Sequence, residues 1–231
     1  MPSYQEIYEH HADRYDELVD REDCENHLGQ WLDGALSSPP SLVVELGCGT
    51  GRLTRMLAKH ATILRAYDGY PHMIERAQQV AALQNVTYKV SDNASLPEAK
   101  HVADAIFAGW TIGHLTGLFP NDWKSRVEAV LDGMDRIAKN DARVVIIETL
   151  GTCVDAPSPP NERLGAMYEL LESQRGFRCD TISTDYEFES ATAAARIMGF
   201  FFGEGMAERV RMRDTSRVPE WTGIWWRAHR T

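Results

Sequence analysis

The chain is 231 residues long, 43% hydrophobic and 25% charged, which fits one large globular domain with a sizeable core. Its formal net charge of -10 disfavours nucleic acid and anionic membrane surfaces as partners and leaves a small molecule as the better fit. The four cysteines, Cys24, Cys48, Cys153 and Cys179, show no metal-binding spacing and suit free thiols in a reducing compartment.

The opening stretch MPSYQEIYEHHADRYDEL is too polar and acidic for a signal peptide. No apolar run reaches the roughly 18 residues of a membrane span. A cytoplasmic protein, monomeric or homodimeric, is expected. Residues 3–33 read as helical, with Tyr8, Ala12, Tyr15 and Leu18 at three- and four-residue steps, and the prolines within 37–41 end that segment. His10 and His11 lack further ligands at suitable spacing and read as a solvated helix face, so no metal is expected.

After this lead-in, short apolar runs (LVVEL, ILRAYD, VTYKVSD, ADAIFAG, ARVVIIETL) are separated by helical patterns over 51–60, 71–83 and about 122–139. In the last of these, Val127, Val130, Leu131, Met134 and Ile137 form one apolar face. Such alternation predicts βαβ units and a doubly wound, mostly parallel sheet. Beyond a proline-rich loop at 155–162 the rhythm changes. A long alternating strand over 176–190, a helix through ATAAARIMGFFFGEGMAERV and a strand over 222–228 predict an antiparallel finish, seven strands in all.

The first strand runs into VVELGCGTGRLTRML, with Gly47, Gly49 and Gly51 at alternate positions. Glycines at a strand-to-helix turn let backbone approach a ligand, and the helix start offers free N–H groups. The spacing departs from the dinucleotide pattern G-x-G-x-x-G, because the third glycine comes one residue early and Arg52 takes its place. Glu45, just before the loop, would repel a pyrophosphate but suits an ammonium or a sulfonium. No Lys-Ser/Thr ending follows, which removes nucleoside triphosphates. Asp68 closes the second strand, 21 positions after Gly47, where an acid can grip both hydroxyls of a ribose. It can also cap the helix that Pro71 opens, a role compatible with ribose binding. Asp92 closes the third strand, where a carboxylate can accept from an exocyclic amine. Three acids ending three strands converge on one edge.

In these segments, and in YDGYPHMIERA, VSDNASLP, ADAIFAGWTIGHL and ARVVIIETLG, the sequence resembles the class I S-adenosylmethionine (SAM)-dependent methyltransferases of small molecules, from about residue 41 to 150. The resemblance implies a Rossmann-like domain over the whole of 1–231. Residues 1–40 would form a helical lid, 41–150 the SAM-binding core, and 151–231 the part that completes the sheet and acceptor pocket. It implies that Gly47, Cys48, Gly49 and Gly51 approach the methionine and ribose of the cofactor, with Glu45 near the methionine ammonium. Asp68 and the adjoining Gly69 would serve the ribose. Tyr70 and Met73 would lie against the adenine, and Asp92, Asn93 and Ala94 would bind its amine edge. The carbonyls of Ala108 and Gly109 would face the methionine amine, and Tyr15 would close over that end. Cys48 and Met73 read equally as packed core residues, and Tyr15 as a core aromatic.

Methyl transfer needs alignment and exclusion of water more than acid–base chemistry, so catalytic groups are hard to read from one chain. The candidates at the rim are His114, Glu148 and Tyr15. Trp110, Tyr168, Phe201, Phe202, Trp225 and Trp226 could line an acceptor pocket, or pack the sheet. The expected reaction is transfer of a methyl group to a small-molecule acceptor. Alternatives are intramolecular alkylation of the SAM side chain, an inactive SAM-binding regulator, and a nicotinamide-dependent oxidoreductase, which the early third glycine and Glu45 oppose.

Overall fold

The computed structural model describes residues 4–229, except for the side chains of Tyr4, Gln5 and Tyr8. Strands Leu42–Leu46 (β1), Ile63–Asp68 (β2), Val86–Val90 (β3), Ala103–Gly109 (β4) and Ala138–Thr152 (β5) lie parallel in the order β3-β2-β1-β4-β5. Arg178–Ser183 (β6), Tyr186–Glu187 (β7), Arg217–Val218 (β8) and Glu220–Ala228 (β9) follow. β9 inserts antiparallel between β5 and β6, completing a seven-stranded sheet, while β7 and β8 pair as a separate ribbon. The mostly parallel sheet with an antiparallel C-terminal strand is thus the one the sequence predicts. Strand order reverses between β1 and β4, which opens a crevice at their carboxyl ends.

Helices cover both faces, and this is why β1 reads as a continuous apolar run rather than an alternating one. On one face Val44, Ile106, Val144 and Ile146 pack against Trp123–Ile137. On the other, Val43, Phe107, Val145 and Ile147 pack with Leu28, Leu32, Leu53 and Leu57. A third cluster joins Ile7 and Leu18 to Tyr186, Phe188, Ala194, Met198, Phe201 and Val210, above the carboxyl edge.

The helices are Tyr4–His10 (α1), Ala12–Val19 (α2), His27–Ala35 (α3), Arg52–Leu57 (α4), Pro71–Val80 (α5), His114–Leu118 (α6), Trp123–Ile137 (α7), Glu162–Ser173 (α8), Ala191–Phe202 (α9) and Glu204–Arg213 (α10). Several depart from the sequence reading. The helical segment 3–33 is three helices. Asp23 and Asn26 take φ values of 62° and 58°, and the Asp23 carboxylate accepts from the N–H groups of His27 and Leu28, starting α3 afresh. The strand over 176–190 stops at Ser183, where pairing with β9 ends, and β7 turns to meet β8. The helix after it breaks at Gly203, whose φ of 88° and ψ of 171° no helix accommodates. α8 was not anticipated. Its start is marked by Asn161, whose side chain accepts from Leu164 N–H at 3.0 Å.

Candidate functional site

The turn from β1 to α4 is built by three left-handed residues, Gly47, Gly49 and Gly51, at φ of 65°, 54° and 89°. Cys48 N–H donates to the Tyr67 carbonyl at 2.9 Å, and Gly49 N–H donates to Asp68 Oδ2 at 2.8 Å. The loop is therefore hung from the end of β2. Asp68 Oδ1 accepts from Tyr70 N–H at 2.8 Å, the cap at the head of α5. Burial raises the Asp68 pKa, and these two N–H groups pull it back. A Cβ at Gly49 would meet only the Tyr15 ring, at 3.7 Å, so backbone there is open to an approaching molecule under Tyr15.

Glu45 is 1% exposed, and its Oε2 has no hydrogen-bond partner among the described residues. Burial pushes its pKa up to about 8, with the Thr54 hydroxyl opposing and the Asp68 charge adding. A buried carboxyl with a free oxygen at this place is complementary to a cation. Cys48 is buried and its thiol pKa is raised by burial and by the nearby Glu45 and Asp68 charges, which suits packing and not nucleophilic attack.

The third-strand loop is tied to the glycine loop through Thr111. Asn93 Nδ2 donates to Thr111 Oγ1 at 3.1 Å, and Thr111 covers the Cα of Gly47. Asp92 is exposed and its Oδ1 accepts from Ala94 N–H at 2.9 Å. Ala108 is fully buried, Gly109 half-buried against Leu53, and Gly69 exposed. Met73 is 1% exposed inside α5.

At the rim, Tyr15 packs edge-on to Phe201 with centroids 6.1 Å apart. Its hydroxyl pKa is raised, chiefly by burial. His114 opens α6, and burial lowers its pKa while a hydrogen bond to the Trp110 backbone opposes this. Glu148 Oε1 accepts from Gly113 N–H at 2.7 Å, and the Thr111 and Ile112 N–H groups also stabilise its charge. Burial outweighs them and pushes its pKa up to about 7. Glu148 thus holds the loop after β4 in place. Of the aromatic set, Tyr168 stacks on Trp225 at 4.3 Å within the core, and Trp226 donates to Asp180 beside Trp31. Trp110 carries the Arg52 guanidinium 4.7 Å above its ring. Tyr8 lies in α1, its side chain outside the described residues. His11 is not simply solvated, since it meets Phe200 edge-on at 5.8 Å.

Residues 44–146, which hold β1 to β5 and both loops of the crevice, match the family model of the methyltransferase domain. Over that span the chain is similar to a methyltransferase domain. Among solved structures, YcgJ of Bacillus subtilis is 12% identical, with a TM-score of 0.62 over 89% of this chain and 99% of its own. The N-methyltransferase NodS of Bradyrhizobium japonicum, solved with S-adenosylhomocysteine (SAH), is 17% identical, with a TM-score of 0.51 over 87% of this chain and 85% of its own. The [4+2]-cyclase SpnF is 17% identical, with a TM-score of 0.58 over 89% and 82%. At such identities the likeness is one of fold. Among curated proteins none matches this sequence.

The crevice at the switch between β1 and β4 has a lining that suits a SAM-like molecule. It offers an open backbone at Gly49, a partnerless buried oxygen on Glu45, and a carboxylate between the loop and α5 at Asp68. Among the described residues no group of three or more His, Cys, Asp or Glu could hold a metal, and no helix is long and apolar enough to cross a membrane. The sequence reading missed Glu22, Thr149, Tyr186 and Glu220, which gather beside Arg52. No local motif marks them, because they come together only when the N-terminal segment, β5, β7 and β9 meet at one edge.

Proposed function

We propose that this domain binds SAM over the glycine loop and transfers its methyl group to a small-molecule acceptor. The single observation that carries the reading is the pairing of Glu45, buried with a free oxygen, with Asp68, fixed across the Gly49 N–H at the same strand edge. Glu45 suits the ammonium of the methionine part, and Asp68 the ribose hydroxyls. Gly47, Cys48, Gly49 and Gly51 supply the backbone cradle, with Gly69 beside the ribose. Asp92, Asn93 and Ala94 serve the adenine amine, Met73 and Tyr70 its ring, and the Ala108 and Gly109 carbonyls the methionine amine. The family match and a neighbour of the same fold solved with SAH support this assignment.

When bound, the sulfonium supplies an electrophilic methyl on a good leaving group. The protein's task is to orient the acceptor and exclude water. Tyr15, held between Gly49 and Phe201, closes the methionine end. Glu148 positions the 111–113 backbone rather than serving as a base, since its carboxylate is occupied by those amides. His114, whose pKa burial lowers, is the rim group assigned to take up a proton from the acceptor. The test is calorimetry with SAH. Wild type should bind, and Asp68→Ala should weaken binding by two orders of magnitude or more, about 3 kcal/mol for two lost charged hydrogen bonds. A wild type that ignores both SAM and SAH sinks the reading.

A further inference from the structure

Thr111 stands where three loops of the crevice meet. The chain leaves β4 through Trp110, whose φ of 49° puts a bulky residue in the left-handed region, and Trp110 N–H donates to the Ile147 carbonyl at 2.7 Å. Such backbone persists only where neighbouring contacts hold it. Its effect here is to lay Thr111 back over the glycine loop. A Cβ on Gly47 would stand 2.2 Å from Thr111 Oγ1 and 2.5 Å from Thr111 Cβ. Thr111 Oγ1 accepts from Asn93 Nδ2 at 3.1 Å. Asn93 Oδ1 is buried without a hydrogen-bond partner among the described residues, so the bond through Nδ2 is what anchors this side chain.

The backbone of Thr111 is held from the other side. Glu148 of β5 draws the Thr111, Ile112 and Gly113 N–H groups onto its carboxylate. A Cβ on Gly113 would lie 2.7 Å from Glu148 Oε2, so the turn closes this tightly only with glycine there. Thr111 is thus fixed to β5 by its backbone, seated on the loop after β1 by its side chain, and bonded to the loop after β3 by its hydroxyl. Under the proposed function the ligand divides between these loops. Residues 92–94 take the adenine, and the glycine loop with 108–109 takes the methionine part. A molecule that occupies both ends depends on their spacing as well as on the contacts at each. A hydrogen bond that sets the spacing in advance removes an ordering cost from the binding step.

We infer that Thr111 is a positioning residue for the cofactor: its hydroxyl locks the adenine-side loop to the methionine-side loop at the separation that a molecule spanning both requires. The inference rests on the SAM reading for which loop receives which part. Valine has the shape of threonine and would still cover Gly47, but it leaves Asn93 unanchored. Serine keeps the hydroxyl and gives up only the methyl group.

The experiment is calorimetry on wild type, Thr111→Val and Thr111→Ser with two ligands: SAH, which spans both loops, and adenosine, which lacks the amino-acid part. Thr111→Val should weaken SAH by about tenfold, while adenosine changes by less than about threefold. Thr111→Ser should restore SAH binding to within about threefold of wild type. A merely structural defect would lower both affinities together, and serine would not rescue it. Thr111 is half-buried, and Thr111→Ala gives the same comparison should the valine variant not fold. Thr111→Val binding SAH as wild type does, a loss shared equally by adenosine, or a serine variant as weak as valine each overturn the inference and leave the SAM reading standing. A wild type that binds neither SAH nor SAM takes both down.

Discussion

Gly47 and Gly49 share a left-handed backbone but not a neighbourhood. A Cβ at Gly47 would stand 2.2 Å from Thr111 Oγ1, whereas at Gly49 the nearest atom is 3.7 Å away. Gly47→Ala should cost the handedness penalty of about 1–2 kcal/mol and a steric overlap besides, seen as a lowered thermal midpoint. Gly49→Ala should cost only about 1 kcal/mol of stability but remove SAH binding, because the added methyl fills the open cradle. Glu45 gives a prediction with a sign. Its pKa is raised from 4.5 to about 8 on folding, so between those values the native state holds more protons than the unfolded one, and stability falls as pH rises. At about 1.4 kcal/mol per unit, the loss is at most roughly 5 kcal/mol by pH 8. Glu45→Gln should flatten that fall in melts taken from pH 5 to 8, and an unchanged slope would remove Glu45 as its source. These three residues were legible in the sequence because each sits within a few positions of the turn it serves. Glu22 and Glu220 were not, since burial and pairing across the fold give them their character.

Helices α9 and α10 form a hairpin whose bend is Gly203, and whose close approach brings the Gly199 Cα against Ala207, with a Cβ there only 2.8 Å from Ala207 Cβ. Phe201 in α9 is the surface on which Tyr15 rests. Gly203→Ala should destabilise by about 1–3 kcal/mol, since an ordinary side chain resists that backbone, and should weaken SAH binding through Tyr15 as well. Denaturant unfolding and calorimetry read the two effects separately. The sequence reading ran this hairpin together as one helix because ATAAARIMGFFF and GEGMAERV keep a common apolar spacing, and a lone glycine is a weak stop signal. The N-terminal helices were merged for a like reason: the Asp23 cap that restarts α3 is a side-chain event, not a periodic one. By contrast β1, β2 and β4 lie where the sequence places them and β3 ends two residues early, whereas β5 begins at Ala138, inside the helix expected to about 139, and not at Ala142.

At the scale of the whole molecule, the sheet is a rigid platform and the cluster above its carboxyl edge a cover. α1 and α2 rest on α5, where Asp16 pairs with Arg76, and their Ile7 and Leu18 join a cluster with residues of β7, α9 and α10. Amide exchange over 4–19 should therefore be fast in the free protein and slow on adding SAH, while exchange in β4 and β5 should not change. If exchange over 4–19 does not respond to SAH, the N-terminal segment is no lid. The antiparallel finish was legible from the loss of the βα rhythm after 150, but not the place of β9 within the sheet, which depends on which edge each late strand reaches.

That place has a consequence for how the protein is made. β6 pairs with β9 and with no other strand of the main sheet, and β9 alone joins it to β5. During synthesis β5 is complete some seventy residues before β9 begins, so the N–H and C=O groups of its outer edge are unpaired in the interval. The platform for the glycine loop can assemble in that time, but Glu220 arrives only with β9. β9 thus both covers the outer edge of β5 and brings Glu220 beside Glu22 and Arg52, so this buried group forms only once the sheet is complete.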